Sequence, residues 1–155
     1  MLVNHSLTLP ELVNAINPDY TRLDQYVTNL PTSNTFEEVV PMLIQIKGLR
    51  LDGPQSVLDL LEELNATSSV RLRLPTERET LSFLATYAKT IDRISIHVIG
   101  YEHHRKHLYV YRPRRKKGFL QLLKRAPKIR LISYSWDSGE CGYGEEEPCI
   151  LVIVA

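Results

Sequence analysis

Between residues 103 and 130 the chain carries eleven of its nineteen Lys and Arg and no Asp or Glu. At the centre of this stretch, Tyr109-Val110-Tyr111-Arg112-Pro113-Arg114-Arg115-Lys116-Lys117-Gly118-Phe119 interleaves aromatic rings with a dense run of cations. Nucleic acid uses both kinds of group. Arg and Lys neutralise phosphates and release counterions, while Tyr or Phe rings stack on unpaired bases. The residues this chemistry nominates are Arg105, Lys106, Tyr109, Tyr111, Arg112, Arg114, Arg115, Lys116, Lys117, Lys124 and Arg125. Arg112, Arg114, Arg115, Lys116 and Lys117 are the phosphate contacts, and Tyr109 or Tyr111 the stacking rings.

The formal net charge of +1 conceals this concentration. Outside 103 to 130 only eight basic residues face all eighteen acidic ones, so a strongly cationic segment sits in an anionic remainder. The same cations suit an acidic protein partner or an anionic membrane surface, where each Lys or Arg contributes about 1 kcal/mol. They also suit a plain solvated loop beside tyrosines that pack one face of a sheet. No ribonucleoprotein signature, zinc-finger spacing or GXXG loop accompanies the segment. Glu140, Glu145, Glu146 and Glu147 lie in a Gly-rich loop from 137 to 148 that could fold over the cations and compete with an external polyanion.

Other chemistry is weakly supported. Glu102, His103, His104 and His107 include metal-ligand types, but Arg105 and Lys106 raise the local positive potential against a cation, so no metal is expected. Cys141 and Cys149 are too few for a disulfide framework, and free thiols are the expectation. The neighbouring glutamates would raise a thiol pKa and blunt a nucleophile. There is no P-loop, GxGxxG, GxSxG or HExxH, so neither an enzyme nor a cofactor is expected. The composition, 43% hydrophobic and 24% charged, is that of a folded domain. With no apolar run near the roughly 20 residues a bilayer crossing needs and no signal-peptide pattern at Met1, the expected location is cytoplasmic or nuclear.

The elements that must position these residues read as one domain, 1–155. Within it, 1–42 is an N-terminal helical segment in which Leu9, Leu12, Val13 and Ile16 share a helix face and Thr8 and Glu11 have capping-box spacing. Phe36 to Val40 reads as a helical turn. From 43 to 100, alternation at Leu43–Lys47, Val70–Leu74 and Ile94–Val98 separates two helices, one opening at Pro54 and one capped by Thr76 and Glu79. The two strand–helix units loosely resemble leucine-rich repeats, without their asparagine ladder, and no function is carried across. If the three strands share a sheet, the right-handed crossover rule makes them a parallel β-α-β-α-β core. From 101 to 155, His107–Arg112 reads as the partner of the third strand in an antiparallel hairpin, followed by a helix around Phe119–Ala126. Ile129–Trp136 and Cys149–Val154 read as a second hairpin, the latter apolar on both faces as an interior strand would be. The expected fold is therefore α/β, a mixed sheet with a parallel front half and antiparallel hairpins in the C-terminal half.

Overall fold

The computed structural model describes residues 1–18, 20–22, 30–45, 54–87, 90, 95–99, 106–111, 130–135 and 148–155. The strands are β1 (Leu2–Asn4), β2 (Tyr20–Arg22), β3 (Phe36–Glu38), β4 (Val40–Gln45), β5 (Leu72–Arg73), β6 (Ser95–Ile99), β7 (Lys106–Tyr111), β8 (Arg130–Ser135) and β9 (Pro148–Val154). The helices are α1 (Leu9–Ile16), α2 (Pro54–Thr67) and α3 (Glu77–Tyr87).

Each helix has a local cause. At the start of α1 the Glu11 carboxylate accepts from the Thr8 amide and the Thr8 hydroxyl, both at 2.7 Å, which holds its pKa below the usual carboxylate range. The helix ends at Asn17, which adopts the left-handed conformation (φ 51°) and donates its N–H to the Val13 carbonyl at 2.9 Å. Asn tolerates that conformation better than most residues, and Pro18 cannot continue the helix. α3 has a complete capping box: the Glu79 amide donates to Thr76 Oγ1 at 3.2 Å and the Thr76 amide to Glu79 Oε2 at 2.7 Å. α2 is tied to β5 by Asn65, whose side-chain amide exchanges two hydrogen bonds with the Leu72 backbone, at 2.7 and 2.9 Å. That amide does for Leu72 what a neighbouring strand would do.

The strands form a two-stranded β1–β3 sheet and a seven-stranded sheet ordered β2-β8-β7-β6-β9-β4, with β5 also on β9. β9 is the organising strand. β4 runs antiparallel along one side of it, from Val40 opposite Val154 to Gln45 opposite Cys149. Its other side is shared by β6, parallel at Ile96 opposite Cys149, and β5, antiparallel at Leu72 opposite Val154. Ile150 and Val152 pack with Val57, Leu72 and Leu74 under α2, whereas Leu151 packs with Leu12, Ile16, Leu81, Phe83 and Leu84 of α1 and α3. Ile153 closes a third cluster with Val3 and Val39 beneath the small sheet. Each fully buried Leu, Ile or Val contributes about 1.5–3 kcal/mol, so the alternation of β9 between two helical layers is a large source of cohesion among the described residues.

The parallel β-α-β-α-β front half is overturned by this register. β4, β5 and β6 do not pair with one another; each pairs with β9, two of them antiparallel. The crossover rule applies to strands that share a sheet as neighbours, and here the most apolar segment, from the far end of the sequence, takes the place between them. The second hairpin is also corrected, because β8 pairs with β7 and β2 while β9 lies beyond β6. Phe36–Glu38 is a strand on β1 and not a helical turn. The expected helix at 119–126 lies outside the described residues. Among those described, no helix is long and apolar enough to cross a membrane.

Candidate nucleic-acid interface

β7 brings three nominated residues, Lys106, Tyr109 and Tyr111, into the interior of the large sheet, with β6 on one side and β8 on the other, both antiparallel. Successive strand residues alternate between faces, and directly opposed residues share one. The register therefore sorts the site into rows. Tyr111 lies opposite Arg130 of β8, which lies opposite Tyr20 of β2. In the next row Tyr109 lies between His97 of β6 and Ile132 of β8, and Ile132 is opposite Arg22 of β2. In the third, His107 lies between Ile99 and Tyr134. Because His97 is also opposite Ile150, these positions belong to the face on which α2 packs farther along the sheet.

Lys106 differs in parity. It pairs with Ser135 and occupies the opposite face, along with Leu108 and Val110, so it does not share a face with the two tyrosines. Arg105, Arg112, Arg114, Arg115, Lys116, Lys117, Lys124 and Arg125 lie outside the described residues, as do Glu102, His103, His104, Cys141 and the acidic loop 137–147. Cys149 is buried on β9. Among the described residues no group of three His, Cys, Asp or Glu could hold a metal ion.

Charge is divided across the sheet. β2, β6, β7 and β8 contain no acidic residue, whereas Glu37, Glu38, Asp59, Glu62, Glu63, Glu77 and Glu79 belong to β3, α2 and α3 around the β9 end. At that end Arg73 and Arg78 are engaged within the fold, while Arg71 is exposed. Arg73 donates to both Glu79 oxygens at 2.6 and 2.8 Å, and Glu37 stands 3.9 Å from Arg73 and 3.4 Å from His5 Nε2. Burial alone would raise the pKa of Glu79, but hydrogen bonds from Arg73 and from the Thr76 amide outweigh it and hold the carboxyl below its ordinary value. The Arg73 pKa is raised, chiefly by its hydrogen bonds to Glu79. Arg78, only 4% exposed, donates to the carbonyls of Leu7 at 2.7 Å, Pro31 at 2.6 Å and Asn4 at 3.4 Å, joining the end of β1 to the loops before α1 and before β3. Burial lowers its pKa. These cations are structural, which leaves the β2–β8–β7 end as the described region with basic residues and no acidic counterweight.

Sequence reasoning missed Tyr20, Arg22, His97, Arg130 and Tyr134 as register positions on one face of the sheet. Tyr134 and Arg130 were within reach through simple alternation on β8. Tyr20 and Arg22 were not, because a three-residue strand has too little pattern and its partner lies more than a hundred residues away. Comparisons with protein-family models, with curated proteins and with solved structures give no match for this chain.

Proposed function

We propose that the protein is a non-enzymatic nucleic-acid-binding protein of the cytoplasm or nucleus, taking RNA or single-stranded DNA through its basic segment. The observation that supports this most directly is the pairing of Tyr111 with Arg130. The cation run from Arg112 onward leaves the sheet at one member of that pair and the chain re-enters at the other. Both ends of a segment devoid of acidic residues are thereby fixed on adjacent strands that carry aromatic and basic residues among aliphatic ones and no acidic residue. A segment held at both ends loses less freedom on meeting a phosphate backbone than a free tail does. An acidic protein or an anionic membrane is the competing partner for the same charges.

The test is a salt titration. Binding of a labelled single-stranded oligonucleotide should weaken linearly with log salt. Replacing Arg114, Arg115, Lys116 and Lys117 together by Ala should lower the affinity and reduce the slope by about 2–3, at roughly 0.7 per phosphate contact. Absorbance at 260 and 280 nm before and after a high-salt wash should show nucleic acid leaving the purified protein. A protein that is free of nucleic acid at low salt, binds none, and instead saturates with an acidic protein would overturn the proposal.

A further inference from the structure

We propose that the outer edge of β4, from Val40 to Leu43, is a docking site for an extended basic segment of a partner protein, which adds to the large sheet as a further strand. β4 stands last in the order of that sheet and, among the described residues, pairs with β9 alone. Its register shows which backbone groups face outward. Opposed residues of an antiparallel pair alternate between those that exchange two hydrogen bonds and those that exchange none. Pro41 has no N–H to give, so Pro41 and Ile153 are of the second kind, and so are Leu43 and Leu151, two residues along. Val40, Met42 and Ile44 are therefore the residues bonded to β9. The Pro41 carbonyl and both the N–H and the carbonyl of Leu43 point away from it, and none of the three enters a turn, loop or cap hydrogen bond among the described residues. The side chains are open as well. Val40 is 59% and Met42 42% exposed, opposite Val154 and Val152 on the face that α2 covers. Sheet edges are usually guarded, and Pro41 is a partial guard that removes one outward donor. What remains is a short, defined ladder: an added strand exchanges bonds with Leu43 and gives a further N–H to the Pro41 carbonyl.

Charge selects the occupant. Glu37 and Glu38 precede Val40 within about 11 Å along the chain, and Glu38 is exposed and enters no ion pair among the described residues. α2, on the same face as Met42, presents Asp59, Glu62 and Glu63 to solvent. β3, β4 and α2 contain no Lys or Arg, and the exposed Arg71 adjoins β5, across β9 from this edge. A segment with apolar side chains against Val40 and Met42 and Lys or Arg beside the carboxylates is matched on both counts. Nucleic acid is repelled by the same carboxylates. A second copy would bring its own β3 and α2 to the joint and set like charge against like.

The experiment uses the full chain, isotopically labelled, and a synthetic peptide, acetyl-Lys-Val-Lys-Val-Lys-Val-Lys-amide, as the probe. Amide hydrogen exchange at Leu43 is followed by nuclear magnetic resonance as the peptide is added. Saturable slowing of Leu43 exchange is expected from this peptide and none from its counterpart with Glu in place of Lys. Methylating the peptide nitrogens that face β4 should weaken the effect about tenfold through lost hydrogen bonds. Glu38→Lys should weaken it about 2- to 5-fold, with the loss shrinking at high salt, and Met42→Lys should weaken it further. Both positions are exposed, and circular dichroism checks that each variant stays folded. Equal protection of Leu43 by the Lys and Glu peptides would overturn the proposal, as would no protection by the Lys peptide. Protection that appears without peptide and rises with protein concentration would assign the edge to a second copy and overturn the basic partner. None of these results touches the nucleic-acid proposal, which rests on other residues.

Discussion

Replacing Arg73 by Ala should expose how much of the fold depends on one ion pair. The substitution removes both guanidinium donors from Glu79, which is only 2% exposed and would keep the Thr76 amide at 2.7 Å. Stranding a fully buried carboxylate costs about 3–5 kcal/mol. The Arg73 side chain is 38% exposed, so solvent already screens the pair, and about 2–3 kcal/mol is the expected loss. Glu79→Gln should cost less, about 1 kcal/mol, because the amide oxygen still accepts from Thr76 and no charge is buried. Combined with Glu79→Gln, Arg73→Ala should cost less than the two separate losses together.

The pH dependence carries the sign of the argument. Because the folded pKa of Glu79 is lowered, its contribution is fully present above the unfolded value of about 4.3 and is lost as pH falls through the folded one. The stability gap between the parent protein and Arg73→Ala, measured by urea unfolding followed by circular dichroism, should be largest near pH ~7 and narrow by about pH 3. An equal gap at both pH values, or a gap below about 0.5 kcal/mol at neutral pH, would refute the reasoning.

Two further outcomes are expected. Leu151→Ala, at the centre of the α1–α3 cluster, should cost about 2–5 kcal/mol in denaturant unfolding, whereas Met42→Ala on β4, exposed at the sheet margin, should cost under about 1 kcal/mol; similar losses would mean that β9 is not the centre of cohesion. Deleting residues 140–147 should strengthen binding to single-stranded nucleic acid if the acidic loop competes for the basic segment, and an unchanged dissociation constant would dispose of that competition.

What could be read from the sequence was local. Apolar spacing in Leu9–Ile16, the Thr76 and Glu79 pair, and the apolar run Ile150–Val154 each carry their structural consequence within a few residues. The arrangement of the strands is a long-range property. Nothing in β4, β5 or β6 reveals that each will pair with a segment near residue 150, and rules for consecutive strands led to a parallel core that does not form. The candidate site divides in the same way. Its composition is visible in residues 103–130, and strand alternation already separates Lys106 from Tyr109. Tyr20 joins them only through the parallel pairing of β2 with β8, which no local pattern announces.

The position of β9 also bears on how this protein is made. Three strands emerge from the ribosome by residue 99 with edges that will be satisfied only when residues 148–154 follow. At about 5–20 residues per second, several seconds of synthesis separate β6 from its partner. During that interval Leu43, Ile44 and Leu72 have no sheet to enter, and the nascent chain depends on the tunnel, a chaperone or its own low concentration to stay out of mispaired strands. Folding of this domain is therefore tied to the synthesis of residues 148–154, and a product lacking β9 would be a substrate for proteolysis rather than a partly working protein.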